Sequence, residues 1–132
     1  MDENSLFKQD LVFWGNFSID SGYEMMKEVF DKLHLVGAVF AGDDLIALGA
    51  IKKIEEIGYH MPDDISIVGF DDIYLSRFLK PPLTTVGQPV HKMGEIAAKL
   101  LLKRMNNYQD FTPEKIVIKG NLIIRRSVIR KN

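Results

Sequence analysis

The sequence predicts an α/β fold, in which helices flank a mostly parallel sheet. Short apolar runs rich in β-branched residues alternate with stretches whose apolar residues recur at helical spacing. The connections between these stretches are short, which is typical of parallel strands joined by crossover helices. The totals agree with one domain, because 132 residues with 46% hydrophobic and 27% charged side chains have an ordinary globular composition.

The first part of the chain predicts two strands with a helix between them. Residues 10–14 form a short apolar run and are predicted to be a strand. Ser18 can cap the following helix, since a serine hydroxyl accepts a hydrogen bond from the first helical turn. Residues 37–40 are predicted to be the second strand. The helix has its apolar positions at Met26, Val29, Phe30 and Leu33.

A second helix and a third strand follow. The helix opens at Asp43 and Asp44, whose carboxylates oppose the positive end of the helix dipole. It is predicted to run to about Ile57, because Gly58 suits the position just after a helix end. Residues 65–69 contain three β-branched side chains and predict a buried strand.

The remaining elements begin at a proline corner. Pro81 and Pro82 make this corner rigid, since proline fixes φ and has no N–H to donate. An extended run is predicted over residues 84–86, a helix over residues 90–105, and a strand over residues 115–124. The apolar stripe of this last helix comprises Met93, Ile96, Ala97, Leu100, Leu101 and Met105.

Charge and composition exclude several classes of function. A net charge of −1 and a pI of about 6.3 argue against this chain contacting nucleic acid, which needs concentrated lysine and arginine. We expect the basic tail from Arg125 onward to be solvated and mobile. Without cysteine there is no disulfide or thiolate site, and His34, His60 and His91 lack metal-ligand spacing, so we expect neither metal nor cofactor.

No segment has the features of a secretory signal or a membrane span. A signal peptide needs a basic start and an apolar stretch, whereas this chain begins Met-Asp-Glu-Asn. A membrane-spanning helix needs roughly 20 apolar residues, and no run approaches that length. These observations favour a cytoplasmic protein.

Two acidic pairs follow predicted strands. Asp43 and Asp44 come after the second strand, and Asp71 and Asp72 after the third. Ligands of open α/β sheets bind beyond the carboxyl ends of the strands, and one carboxylate can accept hydrogen bonds from two neighbouring sugar hydroxyls. The residues alone leave open whether Asp71 contacts a ligand or only caps local backbone N–H groups. Asp43 has the same ambiguity, as the N-cap of its helix.

Three stretches carry a resemblance to a known family. Residues 38–50 read AVFAGDDLIALGA, residues 69–72 read GFDD, and residues 81–88 read PPLTTVGQ. Their order and spacing resemble the C-terminal effector-binding region of the lactose-repressor (LacI/GalR) family of bacterial transcription regulators. The resemblance runs from about Trp14 to about Ser127. It implies a periplasmic-binding-protein-like type I fold, with the effector held between two lobes.

The resemblance also implies how this chain is divided. Residues 1–132 would form one effector-binding and dimerisation domain. Within it, residues 10–86 would belong to the C-terminal lobe, 87–118 would cross to the other lobe, and 119–132 would form the return strand and tail. We expect the DNA-binding segment, most of the N-terminal lobe and the first strand–helix unit of the C-terminal lobe to be absent, which leaves this lobe incomplete.

One consequence concerns the helix predicted over residues 90–105. Its apolar stripe would lack the partner lobe and become an exposed patch, which marks an interaction surface or an aggregation risk. We therefore expect the helix to pack against the remaining sheet in a different way, or against another copy of the chain. Exchange of an element between two copies is a low-cost route to a dimer.

The resemblance implies ligand contacts at Phe17, Asp43, Asp71 and Gln88. At position 43 the family usually has asparagine, whereas an ionised aspartate only accepts hydrogen bonds and so favours a hydroxyl-rich ligand over an anion. Phe17 would pack on the ring of the ligand. By the residues alone, Phe17 could be an ordinary core side chain and Gln88 a solvated loop amide. The arginine that typically clamps the ligand in the family has no counterpart here, so we expect weak binding or none.

A second set of positions matches the dimer interface of the family. These positions are Leu48, Lys52, Phe78 and Leu79. Leu48 lies off the apolar stripe predicted for its helix, as an interface residue would. That stripe comprises Ala47, Ala50, Ile51, Ile54 and Ile57. The alternative is a single exposed leucine, which is common on protein surfaces.

These observations lead to one preferred function and two rivals. The preferred function is the effector-sensing and dimerisation part of a LacI-type regulator, a homodimeric, non-enzymatic, sugar-responsive repressor that contacts DNA only through a segment outside this chain. The first rival is a soluble or periplasmic sugar-binding protein of the same fold. The second is a Mg²⁺-dependent enzyme or phosphoacceptor that uses the two acidic pairs, although no lysine is conveniently placed for it.

Overall fold

The computed structural model describes residues 9–33, 35–106 and 112–130. A four-stranded sheet has the order β1-β2-β3-β4, in which the first three strands are parallel and β4 is antiparallel to β3. This arrangement confirms the predicted α/β fold with a mostly parallel sheet. The elements are α1 (Ile19–Lys32), β1 (Ala38–Phe40), α2 (Asp44–Glu56), β2 (Ser66–Asp71), β3 (Thr84–Gly87), α3 (Val90–Asn106) and β4 (Asn121–Ile123), with 3₁₀ helices at Gln9–Leu11 and Tyr74–Arg77.

The predicted first strand, over residues 10–14, is wrong. Gln9–Leu11 forms a 3₁₀ helix and the residues after it have no regular structure. Of this apolar run, Phe13 packs against the core, whereas Trp14 is 87% exposed. A short apolar run does not distinguish a strand from another segment that inserts one side chain into the core.

Helices α1 and α2 pack with their backbones in close approach. A Cβ atom on Gly22 would lie 2.1 Å from the carbonyl oxygen of Ile46, and one on Gly49 would lie 1.9 Å from that of Ile19. Contacts between the first turns of both helices place their N-termini at the same end of the molecule. The predicted N-cap of α1 is confirmed, since the Ser21 amide donates to Ser18 Oγ at 3.1 Å.

The hydrophobic core lies between these two helices and one face of the sheet. Its buried members are Met26, Val29, Ala41, Ala47, Ala50, Ile51, Ile54, Met61, Ile65, Ile67 and Leu83. Side chains of adjacent parallel strands at paired positions share a face, so Val39 joins Ile67 on the core side. Phe40, on the other side, is 68% exposed. The helix stripes predicted from periodicity therefore cover only one face of the sheet.

Helix α3 contains no buried residue. Along its apolar stripe, Met93 is 40%, Leu101 59% and Met105 68% exposed. The expectation that this helix packs against the remaining sheet is thus wrong, because the core face of the sheet is already covered by α1 and α2. Packing against another copy stays a prediction. Within the described ranges, no helix has both the length and the apolar character that spanning a membrane requires.

The segment after β4 also differs from expectation. The tail from Arg125 was expected to be mobile, but Ser127 is fully buried. Its Oγ donates to the Ile67 carbonyl at 2.6 Å and accepts from the Thr84 amide at 2.7 Å. Pairing of β2 with β3 begins only at Val68, so Ser127 satisfies backbone groups just before that point. The strand predicted over residues 115–124 is wrong for most of its length, since only the three residues of β4 form a strand. His34 and residues 107–111 and 131–132 lie outside the described ranges.

Candidate functional site

The carboxyl edge of the sheet gathers the predicted ligand residues. Asp43 follows β1, Asp71 ends β2, and Gln88 follows β3, and these three strands are parallel. Phe17 precedes the N-cap of α1, whose first turn contacts the first turn of α2. The fold therefore places all four residues at one edge of the molecule, where ligands of open α/β sheets bind.

Asp71 lies in a turn with unusual backbone geometry. Its φ is 106°, and that of Asp72 is 55°, so two consecutive residues with side chains have positive φ. Such conformations are sparsely populated and cost roughly 1–3 kcal/mol each, so they persist only where the surroundings enforce them. Gln88 Nε2 donates a hydrogen bond to Asp71 Oδ1, which brings two of the predicted ligand residues together. Both side chains are half-buried.

Asp43 has the structural role that the sequence left open. It is the N-cap of α2, and its Oδ1 accepts from the amides of Leu45 at 2.6 Å and Ile46 at 3.1 Å. The residue is 8% exposed. Within the described part of the chain, its second oxygen, Oδ2, has no hydrogen-bond partner, so it is the oxygen of Asp43 that can still accept one.

Asp44 is a buried carboxylate that accepts three hydrogen bonds, and the sequence did not predict this role. It is fully buried, and its Oδ1 accepts from Thr85 Oγ1 at 2.7 Å. Its Oδ2 accepts from Ser76 Oγ at 2.6 Å and from the Ile73 amide at 2.9 Å. The sequence predicts a helix-dipole role for Asp44, or a place in an acidic pair, but not this set of donors. One available signal was Gly69 in a run of large apolar residues, because a Cβ there would lie 2.1 Å from Asp44 Oδ1.

Asp72 pairs with an arginine from the C-terminal segment. Arg125 Nη2 lies 2.5 Å from Asp72 Oδ1, and the two side chains are 15% and 19% exposed. Arg125 Nη1 also donates to the Leu83 carbonyl at 2.8 Å, and its amide donates to Thr84 Oγ1 at 2.9 Å. The arginine therefore ties the chain after β4 to the turn that carries Asp71. Arg125 is thus an ordered side chain, contrary to the expectation of a mobile tail.

Phe17 is not a core residue. Its side chain is 75% exposed, which removes the alternative that it simply fills the interior. The groove of about 360 Å³ beside α1 does not include it. Trp14, Ser21, Glu24, Met25, Lys27, Glu28 and Asp31 line that groove. The exposed face of Phe17 is therefore free to contact another molecule at the carboxyl edge.

The predicted dimer-interface residues have different environments. Phe78 is 58% exposed, and its ring lies 4.8 Å from that of Tyr74. Leu79 is partly buried against the core of its own chain, and Leu48 is half-buried on α2. Lys52 is exposed, with its Nζ 5.6 Å from the centroid of the Tyr23 ring. Phe78 thus offers the largest free apolar surface of the four.

The acidic residues do not form an open acidic pocket. Asp44 has three internal donors, Asp72 pairs with Arg125, and one oxygen of Asp43 caps a helix. Across the described ranges, which exclude His34, no group of three histidine, cysteine or carboxylate side chains is arranged to hold a metal ion. This geometry gives no support to the use of the two acidic pairs as a Mg²⁺ or phosphoacceptor centre.

Comparisons with known proteins agree with this architecture. Residues 2–128 match the family of periplasmic binding protein-like domains. The "HTH-type transcriptional repressor PurR" of Mannheimia succiniciproducens is 41% identical over 127 residues, which cover 96% of this chain and 38% of that protein. This chain therefore spans less than two-fifths of the length of that relative.

Solved structures give the same result. The "transcriptional regulator CelR-cellobiose complex" is 36% identical, with a TM-score of 0.86 over 92% of this chain and 37% of that one. A LacI family transcriptional regulator from Enterococcus faecium with bound ribose is 35% identical, with a TM-score of 0.74 over 86% of this chain and 41% of that one. The resemblance found in the sequence is thereby confirmed. The chain belongs to the periplasmic binding protein-like family and corresponds to the effector-binding part of a LacI/GalR-type transcription regulator.

Proposed function

We propose that this chain senses a hydroxyl-rich effector and supports dimerisation in a cytoplasmic, non-enzymatic, sugar-responsive repressor. The observation that carries the proposal is the turn at Asp71 and Asp72. Two positive φ values are held at the carboxyl edge of the sheet, and backbone strain of this kind clusters at ligand-binding and active sites. Gln88 fixes one oxygen of the Asp71 carboxylate. The other oxygen can accept from the effector.

The chemistry of these side chains suits a sugar. A carboxylate accepts hydrogen bonds from hydroxyl groups, and charge-assisted bonds of this kind are roughly twice as strong as neutral ones. The exposed ring of Phe17 offers an apolar face to the C–H side of a sugar ring. Two similar regulators were solved with cellobiose and with ribose, which are both rich in hydroxyl groups. The free oxygen of Asp43 adds a further acceptor.

The effector would act by changing the relation between two lobes. We propose that residues 10–86 belong to the C-terminal lobe, that residues 87–118 cross to the other lobe, and that residues 119–132 return. The exposed apolar stripe of α3 supports this division, since a helix with no buried residue in this chain needs another surface. Binding that favours one lobe arrangement would then change the spacing of DNA-binding segments across the dimer. Those segments lie outside this chain in the proposal.

The experiment is a calorimetric titration of the purified chain with cellobiose and with D-ribose. Asp71→Asn should weaken binding by about 10-fold or more, since a hydrogen bond to a charged group contributes roughly 1.5–3 kcal/mol. Asp63→Asn is the matched control, because Asp63 is an exposed carboxylate before β2, at the opposite edge of the sheet.

Two results would contradict the proposal. One is that neither sugar, nor any other polyol in a wider panel, binds the chain with a measurable heat. The other is that a sugar binds and Asp71→Asn leaves its affinity equal to that of Asp63→Asn.

A third variant, Phe17→Ala, separates the aromatic contact from the carboxylate contact. We expect it to weaken binding without changing the folded structure, since Phe17 is 75% exposed.

A further inference from the structure

The carboxylate of Asp44 accepts hydrogen bonds from the segment that follows the Asp71 turn and from the neighbouring strand β3. It is fully buried and accepts from the Ile73 amide, just after the turn, and from Ser76 Oγ in the following 3₁₀ helix. It also accepts from Thr85 Oγ1 in β3. Among the described residues no cationic side chain forms an ion pair with it. Its partners among the described residues are therefore hydrogen-bond donors, as a buried polar group requires.

The two backbone amides that follow Asp71 both depend on this carboxylate. The Ile73 amide donates to Asp44 Oδ2 at 2.9 Å. The Asp72 amide donates to Thr85 Oγ1 at 3.4 Å, and that same hydroxyl donates to Asp44 Oδ1. Asp44 therefore fixes one amide directly and the other through the threonine.

The turn needs support of this kind. Residues with a Cβ atom rarely adopt positive φ, and two in succession persist only where their surroundings enforce the conformation. Gly69 makes room for the support, since any Cβ there would collide with Asp44 Oδ1. The support thus reaches the turn from the first residue of α2, and it does so through the interior of the domain.

We propose that Asp44 is a positioning residue, which holds the Asp71–Asp72 turn so that Asp71 presents its carboxylate at the carboxyl edge. This inference rests on the proposed function, in which Asp71 contacts the effector. Asp44 itself is fully buried, so it acts through Asp71 and does not touch the ligand. If Asp44 had a purely structural role, its loss would lower the global stability of the domain without a specific effect on the turn or on ligand affinity.

The test compares two buried hydrogen-bonding sites on the same pair of strands. Asp44→Asn removes one acceptor oxygen and the charge at the turn. Ser127→Ala removes two hydrogen bonds of an equally buried side chain toward the amino ends of β2 and β3. Amide hydrogen exchange, followed by NMR, reports the turn through Ile73. Calorimetry with cellobiose and D-ribose measures the affinity of the proposed effector site.

Positioning predicts a specific pattern. In Asp44→Asn, the Ile73 amide should exchange at least about 10-fold faster than in Ser127→Ala, after correction for global stability. Affinity for whichever sugar binds should fall by a similar factor in Asp44→Asn alone. Equal exchange and equal affinity in the two variants would overturn the inference while leaving the proposed function intact. If neither sugar binds the unsubstituted chain, the proposed function fails for these sugars, and exchange at Ile73 alone decides the inference.

A second pair of variants covers the case in which Asp44→Asn does not fold. Thr85→Val keeps the size of the side chain and removes the hydroxyl that links Asp44 to the Asp72 amide. Thr85→Ser keeps that hydroxyl. We expect the valine variant to show fast exchange at Asp72 and weakened binding, and the serine variant to restore both. Identical behaviour of the two variants would overturn the inference.

Discussion

At the scale of single residues, the four carboxylates at the sheet edge are each held by a different kind of donor. Backbone amides of its own helix hold Asp43, and donors from distant segments hold Asp44. A glutamine amide holds Asp71, and a guanidinium holds Asp72. These donors determine which carboxylates keep an oxygen that can accept a hydrogen bond from a ligand. A saturated carboxylate has only a structural role, whereas one with a free oxygen at the edge can bind a ligand.

Gly69→Ala should destabilise the domain, because its new Cβ would collide with the Asp44 carboxylate. The new Cβ would lie 2.1 Å from Asp44 Oδ1 and 2.9 Å from Leu83 Cδ2, and both neighbours are buried. Overpacking of this kind costs roughly 1–3 kcal/mol, which urea denaturation would measure as a lower midpoint. The control is Gly37→Ala, where the Cβ would meet nothing within 4 Å. Equal midpoints for the two variants would show that Asp44 and Leu83 can move aside at little cost.

How far these roles could be predicted from sequence depends on the distance of each donor along the chain. The cap at Asp43 was a predictable alternative, because its donors are two and three residues away. The donors to Asp44 are 29, 32 and 41 residues away, so no local pattern indicates them. Arg125 and Asp72 are 53 residues apart and were missed for the same reason. The Asp71 site was indicated by its position after a strand and by resemblance.

At the scale of elements, periodicity predicted the helices well and the strands less completely. A helix satisfies its backbone within itself, so α1, α2 and α3 appear close to their expected bounds. A strand needs a neighbour, and β4 extends only as far as the three residues paired with β3. The run over residues 10–14 has apolar side chains but no ladder. Pairing is a property of the fold, which a local pattern does not contain.

Two glycine-to-alanine substitutions should have opposite effects on helices. Gly49→Ala places a Cβ 1.9 Å from the Ile19 carbonyl oxygen and should separate α2 from α1, with a loss of about 1–3 kcal/mol. Gly94→Ala, in α3, meets nothing within 4 Å and should favour the helix by roughly 0.5–1 kcal/mol. Thermal unfolding followed by circular dichroism would measure the first, and ellipticity at 222 nm the second. Lower helicity in Gly94→Ala would contradict the exposed position of that residue.

The contact between α1 and α2 should also depend on pH through Tyr23. The Glu56 carboxylate, which accepts from the Tyr23 hydroxyl, raises the pKa of Tyr23 above its ordinary value. A raised pKa favours the neutral hydroxyl in the folded state, so this stabilisation is present below about pH 10 and is lost at higher pH. The stability difference between the unsubstituted chain and Tyr23→Phe should therefore be constant below about pH 9 and shrink as the pH rises above about 10.

At the scale of the whole molecule, α3 leaves an apolar stripe without a partner in this chain. Leu101 and Met105 are 59% and 68% exposed, and such patches promote association. Replacing both with glutamine should reduce concentration-dependent aggregation in light scattering and leave the urea midpoint unchanged, because neither side chain contributes to the core. A lower midpoint would mean that α3 packs against the domain in solution. A monodisperse monomer before substitution would contradict the prediction that α3 associates with another copy.

Dimerisation through α2 and the segment after β2 is a separate prediction. Phe78, whose ring contacts Tyr74, is 58% exposed and lies next to Leu79. Burial of an aromatic side chain at the centre of an interface often contributes 2 kcal/mol or more, so Phe78→Ser should raise the dimer dissociation constant by about 30-fold. Phe40→Ser is the control, since Phe40 is similarly exposed, at 68%, but lies on the open face of the sheet. Sedimentation velocity across a concentration series would measure both. An equal shift in the two variants would place the dimer contact elsewhere, because only Phe78 belongs to the predicted interface.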